Sequence, residues 1–125
     1  MWIAVSRERS KPVPPPAENE CERLASLRAC RVLDSPAEAE FDDLAHLAAR
    51  LCETPIALVS LVDADRQWFK ARVGLGATET PRDQAFCGWA IGGDDLFVVE
   101  ETHGDDRFCD HPLVTGEPWI RFYAG

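Results

Sequence analysis

An α+β domain organised around one antiparallel β-hairpin is the fold class this sequence predicts, on three observations. Residues 56–62 are apolar except for Ser60, rich in branched side chains, and bounded by Pro55 and Asp63. A run of that kind suits a strand buried on both faces. Asp63, Ala64, Asp65 and Arg66 then supply a turn, because aspartate side chains bond their own backbone. Beyond the turn the pattern alternates, with Gln67, Phe69, Ala71 and Val73 on one face and Trp68, Lys70 and Arg72 on the other. The first strand is therefore expected inside a sheet and its partner nearer the edge. Before the hairpin the apolar residues fall at helical spacing, so a helix should lie across the sheet.

In chain order, residues 1–18 form a proline-rich lead-in expected to be disordered. Asn19 caps a first helix with Glu22 three residues on, and Leu24, Leu27, Val32 and Leu33 give it a narrow apolar stripe. This helix, over residues 20–32, offers a homodimer contact. Ser35, Pro36 and Glu38 read as the capped start of a second helix, whose buried face would be Phe41, Leu44, Ala45, Ala48 and Leu51. Residues 77–82 read as an irregular loop. A short helix over 83–91 is capped by Asp83 and stopped by Gly92 and Gly93. Residues 96–99 suggest a brief strand. A long connection over 101–118 follows, with one helical turn over 105–109. A last strand covers 119–124, with Ile120, Phe122 and Ala124 on one face.

Composition narrows the function. The chain has 125 residues, 46% of them hydrophobic and 28% charged, which is ordinary for one soluble globular domain. A net charge of −9, spread along the chain without a basic patch, argues against a nucleic-acid partner. No stretch approaches the roughly 18 apolar residues of a membrane span, and the N-terminal segment lacks a signal-peptide pattern, so no membrane insertion is expected. The five cysteines, Cys21, Cys30, Cys52, Cys87 and Cys109, are odd in number and widely spaced. Reduced thiols in the cytoplasm are the expectation.

Five segments carry a resemblance to a known family: ECERLASLRACRVLD (20–34), FDDLAHLAARL (41–51), IALVSLVDADRQWFKARVG (56–74), TPRDQAFCGWAI (80–91) and DDRFCDHPLVTGEPWIRFYAG (105–125). In this order they resemble the first part of a GAF domain of the bacterial sensor histidine kinase or diguanylate cyclase type, covering residues 19–125. The resemblance implies a GAF-like, PAS-related antiparallel sheet with helices on one face and a small-molecule pocket enclosed by loops on the other. It also implies that the last strands and closing helix of such a domain are missing, so the chain is expected to be a truncated sensory module. Any kinase or cyclase activity would belong to an output domain of relatives. The expected role is thus signal transduction by binding an unknown small molecule, in a chain that is itself not an enzyme.

The expected ligand-binding residues are Phe86, Cys87, Trp89, Phe108, Arg121 and Tyr123, an aromatic wall with a few polar groups. Trp89 stands where the resemblance leads one to expect a histidine. An alternative comes from another GAF branch, the free methionine-(R)-sulfoxide reductases. Carried over, it makes Cys109 the nucleophile and Cys87 the resolving thiol. Cys87 alone reads as a core residue, although a helix start and the nearby Arg82 would favour its thiolate. His103, His111, Cys87 and Cys109 offer ligand types without the paired spacing of a structural zinc site, so no metal is expected. No cofactor is expected either: Gly74, Leu75 and Gly76 lack the rest of a dinucleotide fingerprint.

Overall fold

The computed structural model describes residues 11–125. The lead-in expected over 1–18 therefore falls largely outside them, in its first ten residues; residues 11–17 run without helix or strand. Helices α1 (Glu20–Ala29) and α2 (Ala39–Leu51) precede strands β1 (Ala57–Val62), β2 (Arg66–Val73) and β3 (Glu79–Pro81). Helix α3 (Phe86–Ala90), strand β4 (Val98–Val99), helix α4 (Pro112–Thr115) and strand β5 (Tyr123–Ala124) complete the described chain. Two antiparallel sheets result, one ordered β1-β2-β3 and one made of β4 and β5. This is a small α+β fold.

The hairpin forms with the expected turn, closed by the Asp63 amide donating to the Arg66 carbonyl at 2.8 Å. The register runs from Val62 opposite Gln67 to Ala57 opposite Val73, with a bulge where Val59 and Ser60 face Ala71 and Phe69. Lys70 is the extra residue. Its strand partners are lost, and its side chain turns inward instead.

Which strand is interior is the reverse of the expectation. β2 pairs on both sides, with β1 and β3, so it is the central strand, and β1 is an edge among the described residues. The sequence sign was misleading because β3 was hidden in a segment read as loop. Thr80 pairs with Gln67, in three residues too short to show alternation.

Both long helices stop through left-handed residues other than glycine. At α2 the turn is made by Glu53 (φ 50°), and the Thr54 amide reaches back to the Ala49 carbonyl at 3.0 Å. At α1 it is Arg31 (φ 52°), whose amide donates to the Arg28 carbonyl at 3.1 Å. The return from β2 needs glycine at Gly74 (φ 73°), because a Cβ there would stand 1.9 Å from the Pro55 carbonyl oxygen.

The capping box expected at Ser35 does not form. α2 begins at Ala39, and Ser35 Oγ donates to the Val32 carbonyl at 2.6 Å. Lys70 Nζ donates to Ser35 Oγ and to the Pro36 carbonyl, both at 2.7 Å, and draws this segment onto β2.

α2 packs on β1 and β2, as expected of a helix across the sheet. Its buried face differs: Ala45 is buried and Phe41 half-buried, but Leu44, Leu51 and Ala48 are exposed. α1 buries no residue. It is tied down by charge, with Arg23 gripping Glu20 at 2.8 and 3.0 Å while Glu20 also meets Arg82. These two guanidiniums, Arg23 first, hold the Glu20 carboxyl far below the usual range.

Two further expectations shift. Asp83 lies in a 3-10 turn over Arg82–Gln84, and α3 is preceded by Ala85 in extended conformation, so Asp83 does not cap it. The final strand shortens to Tyr123–Ala124, because the left-handed backbone of Trp119 (φ 60°) breaks the alternation. Phe122 is consequently exposed, while Ile120 and Tyr123 pack on the core.

Candidate functional site

The core that carries the candidate site is aromatic. Phe86 from α3 stacks on Phe108 with ring centres 4.3 Å apart and planes 4° from parallel. Tyr123 from β5 lies 5.1 Å on from Phe86, and Trp89 meets Phe108 edge-on at 6.3 Å. Val99 and Val114 fill the same cluster. Such offset and edge contacts suit the ring quadrupoles and fix the rings relative to one another.

Phe108 is placed by the turn expected over 105–109. The amides of Phe108 and Cys109 both donate to the Asp105 carbonyl at 2.9 Å. The Asp105 side chain accepts from the Arg107 amide at 2.9 Å and from its guanidinium at 2.9 and 2.6 Å. That pair keeps Asp105 below and Arg107 above their ordinary pKa ranges. Held this way, the guanidinium lies over Phe97, Phe108 and Trp89, between 5.0 and 5.5 Å from the ring centres.

Beside this platform is a cleft of about 710 Å³, a volume typical of small-molecule sites. Trp89, Arg107, Phe108 and Cys109 line it together with Lys11, Pro12 and Val13 of the lead-in. Asp83, Asp106 and Asp110 add carboxylates, and Gln84 and His111 also line it.

His111 is fixed at both ring nitrogens. The Leu113 amide donates to Nδ1 at 3.0 Å, so the ring proton sits on Nε2, which donates to the Gln84 carbonyl. The ring caps α4 while tying it to the turn before α3. Burial lowers its pKa, the Gln84 bond opposes this, and the Lys11 charge adds to the lowering.

The six residues expected to bind ligand separate into three groups. Trp89 and Phe108 line the cleft. Phe86, Cys87 and Tyr123 stand behind it, where Cys87 Sγ shares a hydrogen bond with the Tyr123 hydroxyl at 3.1 Å and accepts from Gln67 Nε2 at 3.3 Å. Burial, followed by the influence of Cys87, pushes the Tyr123 phenol far above its usual pKa. Arg121 is apart and exposed, with Nη1 3.1 Å from His103 Nδ1 and 3.6 Å from Glu101.

The two cysteines of the reductase alternative have different surroundings. Cys109 lines the cleft, whereas Cys87 faces Gln67 and Tyr123, and both are free thiols. Among the described residues, no three His, Cys, Asp or Glu side chains converge on one point as a metal site requires.

Sequence reasoning missed Arg107, Gln67, His111 and the lead-in as contributors. Only Arg107 had a local signal: an arginine two residues after an aspartate in a turn can close a bidentate pair on it.

No family model matches the chain. A cyclic di-GMP phosphodiesterase of Pseudomonas aeruginosa is 44% identical over 112 residues, 90% of this chain. The chain spans 19% of that curated relative. This match corrects the expectation that the chain is not an enzyme: a relative 44% identical to it is named for an enzymatic activity, and the matched stretch is part of that protein. No helix of the described residues is long and apolar enough to cross a membrane.

Proposed function

We propose that the chain is a GAF-type signal-input segment of a cyclic di-GMP phosphodiesterase-like enzyme, and that it takes up a small molecule in the cleft beside Trp89, Arg107 and Phe108. The observation that carries this reading is the 44% identity, sustained over 112 residues, to one stretch of such a phosphodiesterase. Where the resemblance implied a kinase or cyclase, the relative's name supplies a phosphodiesterase. The cleft supports the binding half. Trp89 offers apolar area, Phe108 packs against it from within the core, and Arg107, locked by Asp105, offers a cation whose position is fixed before any ligand arrives. Occupancy would bias the longer enzyme between conformations by the difference in affinity for them.

The test is a thermal-shift titration of the 125-residue chain with cyclic di-GMP, cyclic GMP and cyclic AMP, repeated on Trp89→Ala. A true ligand at a hundredfold excess over Kd stabilises by about 2.7 kcal/mol, which raises Tm by on the order of 10 °C. The shift should disappear in Trp89→Ala. A shift that survives that substitution places the ligand outside the cleft, and no shift with any nucleotide removes cyclic nucleotides as its occupants.

A further inference from the structure

Residues 11–17 have no helix or strand, yet they lie against the domain. Four of the six residues over 11–16 are prolines, a composition that holds the chain extended before it docks and so limits the entropy lost in docking. Within 11–16 only Pro14 is half-buried; its neighbours are exposed. Pro14 sits on Gly88 of α3. A Cβ on that glycine would stand 2.7 Å from Pro14 Cγ and 2.9 Å from Pro14 Cβ, so the bare helix backbone makes a notch for the proline ring. Lys11, Pro12 and Val13 then form part of the wall of the cleft, and Lys11 Nζ donates to the Asp110 carbonyl at 3.5 Å.

The attachment is shallow. Among the described residues, the backbone of 11–16 makes no hydrogen bond to the rest of the backbone. Its four prolines have no amide to leave unpaired when the segment lifts or settles. The Lys11 bond is at the long limit for such a contact. A segment held by one ring in a notch and one long hydrogen bond opens at the low end of local unfolding free energies.

We propose that residues 11–16 are a strap over the cleft, seated by Pro14 on Gly88, and that lifting it admits the small molecule. The second half rests on the reading of the cleft given above; the seating of Pro14 does not. With the strap down, Lys11, Pro12 and Val13 stand beside Trp89, Arg107 and Cys109 in the cleft wall. With it lifted, that side of the cleft is open to solvent. Strap and ligand exclude each other, and each weakens the other's hold by the same factor.

Iodoacetamide modification of the full chain, followed cysteine by cysteine with mass spectrometry, tests the strap without any ligand. Cys109 is half-buried in the cleft, next to the residue that Lys11 holds, and the exposed Cys52 after α2 is the internal reference. Gly88→Ala puts a methyl group into the notch. The atoms it strikes belong to Pro14, while the Arg82 carbonyl is at an ordinary 3.6 Å and alanine is the better helix former. The variant should therefore keep α3 and push off the strap. Cys109 should react about fivefold faster or more, and Cys52 at its parent rate. Pro14→Gly removes the ring, leaves α3 untouched and should act in the same direction. An unchanged Cys109 rate in either variant overturns the proposal. A rise at Cys52 as well in Gly88→Ala marks general loosening, and Pro14→Gly then decides. No nucleotide is present, so this measurement and the thermal-shift titration can fail independently.

Discussion

Lys70 Nζ and Ser35 Oγ meet at 2.7 Å, joining the bulge of the central strand to the segment that leads into α2. The lysine side chain is wholly buried, and its other contacts are the Pro36 carbonyl, the Glu38 carboxylate and the face of the Phe41 ring. One ammonium therefore closes the α1–α2 connection over the sheet.

Lys70→Met should cost about 1–3 kcal/mol in urea unfolding, because the half-buried Ser35 hydroxyl and the Pro36 carbonyl lose their shared charged donor. Glu38→Gln should cost no more than about 1 kcal/mol, since that carboxylate is half-exposed and water can replace the lysine. Equal losses in the two variants would contradict this division.

His111 sets the pH response near neutrality. Its pKa in the folded chain is lowered, so the unfolded chain binds the proton first as pH falls below about 6.5. Stability is present above that value and is lost as pH falls through the lowered folded pKa. The carboxyls of Glu20 and Asp105 are lowered as well, and their contributions disappear in a more acidic window. Urea midpoints should therefore decline from pH 7 to pH 5 in the parent and be nearly flat there in His111→Gln. A parallel decline in both would remove the assignment.

Gly74→Ala should destabilise by about 3 kcal/mol or more, combining a left-handed backbone with a Cβ forced against the Pro55 carbonyl. Gly76→Ala, two residues on, meets nothing within 4 Å and should change stability by less than about 0.5 kcal/mol. Chemical denaturation of the two variants side by side separates the local clash from any general intolerance of the loop.

Asp105 and Arg107 should behave as one unit. Asp105→Asn and Arg107→Lys each lose the parallel pair of hydrogen bonds, so the double variant should be less damaged than the sum of the singles. The coupling expected from a double-mutant cycle is about 0.5–1.5 kcal/mol. Full additivity would mean that the rings alone hold Arg107 in place.

The hairpin was legible because it rests on local signals: a long apolar run, a turn rich in aspartate, and seven residues of alternation. β3 was harder, since a strand of three residues carries no period and exists only through the partner it finds. The buried face of α2 was misjudged for a related reason. Helical spacing identifies an apolar stripe without saying what covers it, and in this chain small Ala45 faces the sheet while the leucines do not. The aromatic members of the candidate site were readable as types. Their sorting into Trp89 and Phe108 at the cleft, Phe86 and Tyr123 behind it, and Arg121 elsewhere depends on the turn at Asp105 and the left-handed Trp119. Neither lies in the pattern of hydrophobicity. The lead-in's place beside the cleft had no sequence signal at all.

Because β4 and β5 make a ladder separate from that of β1, β2 and β3, the chain acquires an order of assembly. Only residues 63–65 separate β1 from β2, so this hairpin closes a short loop, an event of about 1–10 μs. β4 must wait for β5 across residues 100–122, paying the closure entropy of a much longer loop before any contact rewards it. Phe108 and His111 sit inside that late-closing span. Pulse-labelled hydrogen exchange would thus catch a chain with its hairpin protected and its aromatic wall still open. A ligand of the proposed kind would meet only molecules that have finished their final step of folding, and in binding would hold the last-closed part of the domain shut.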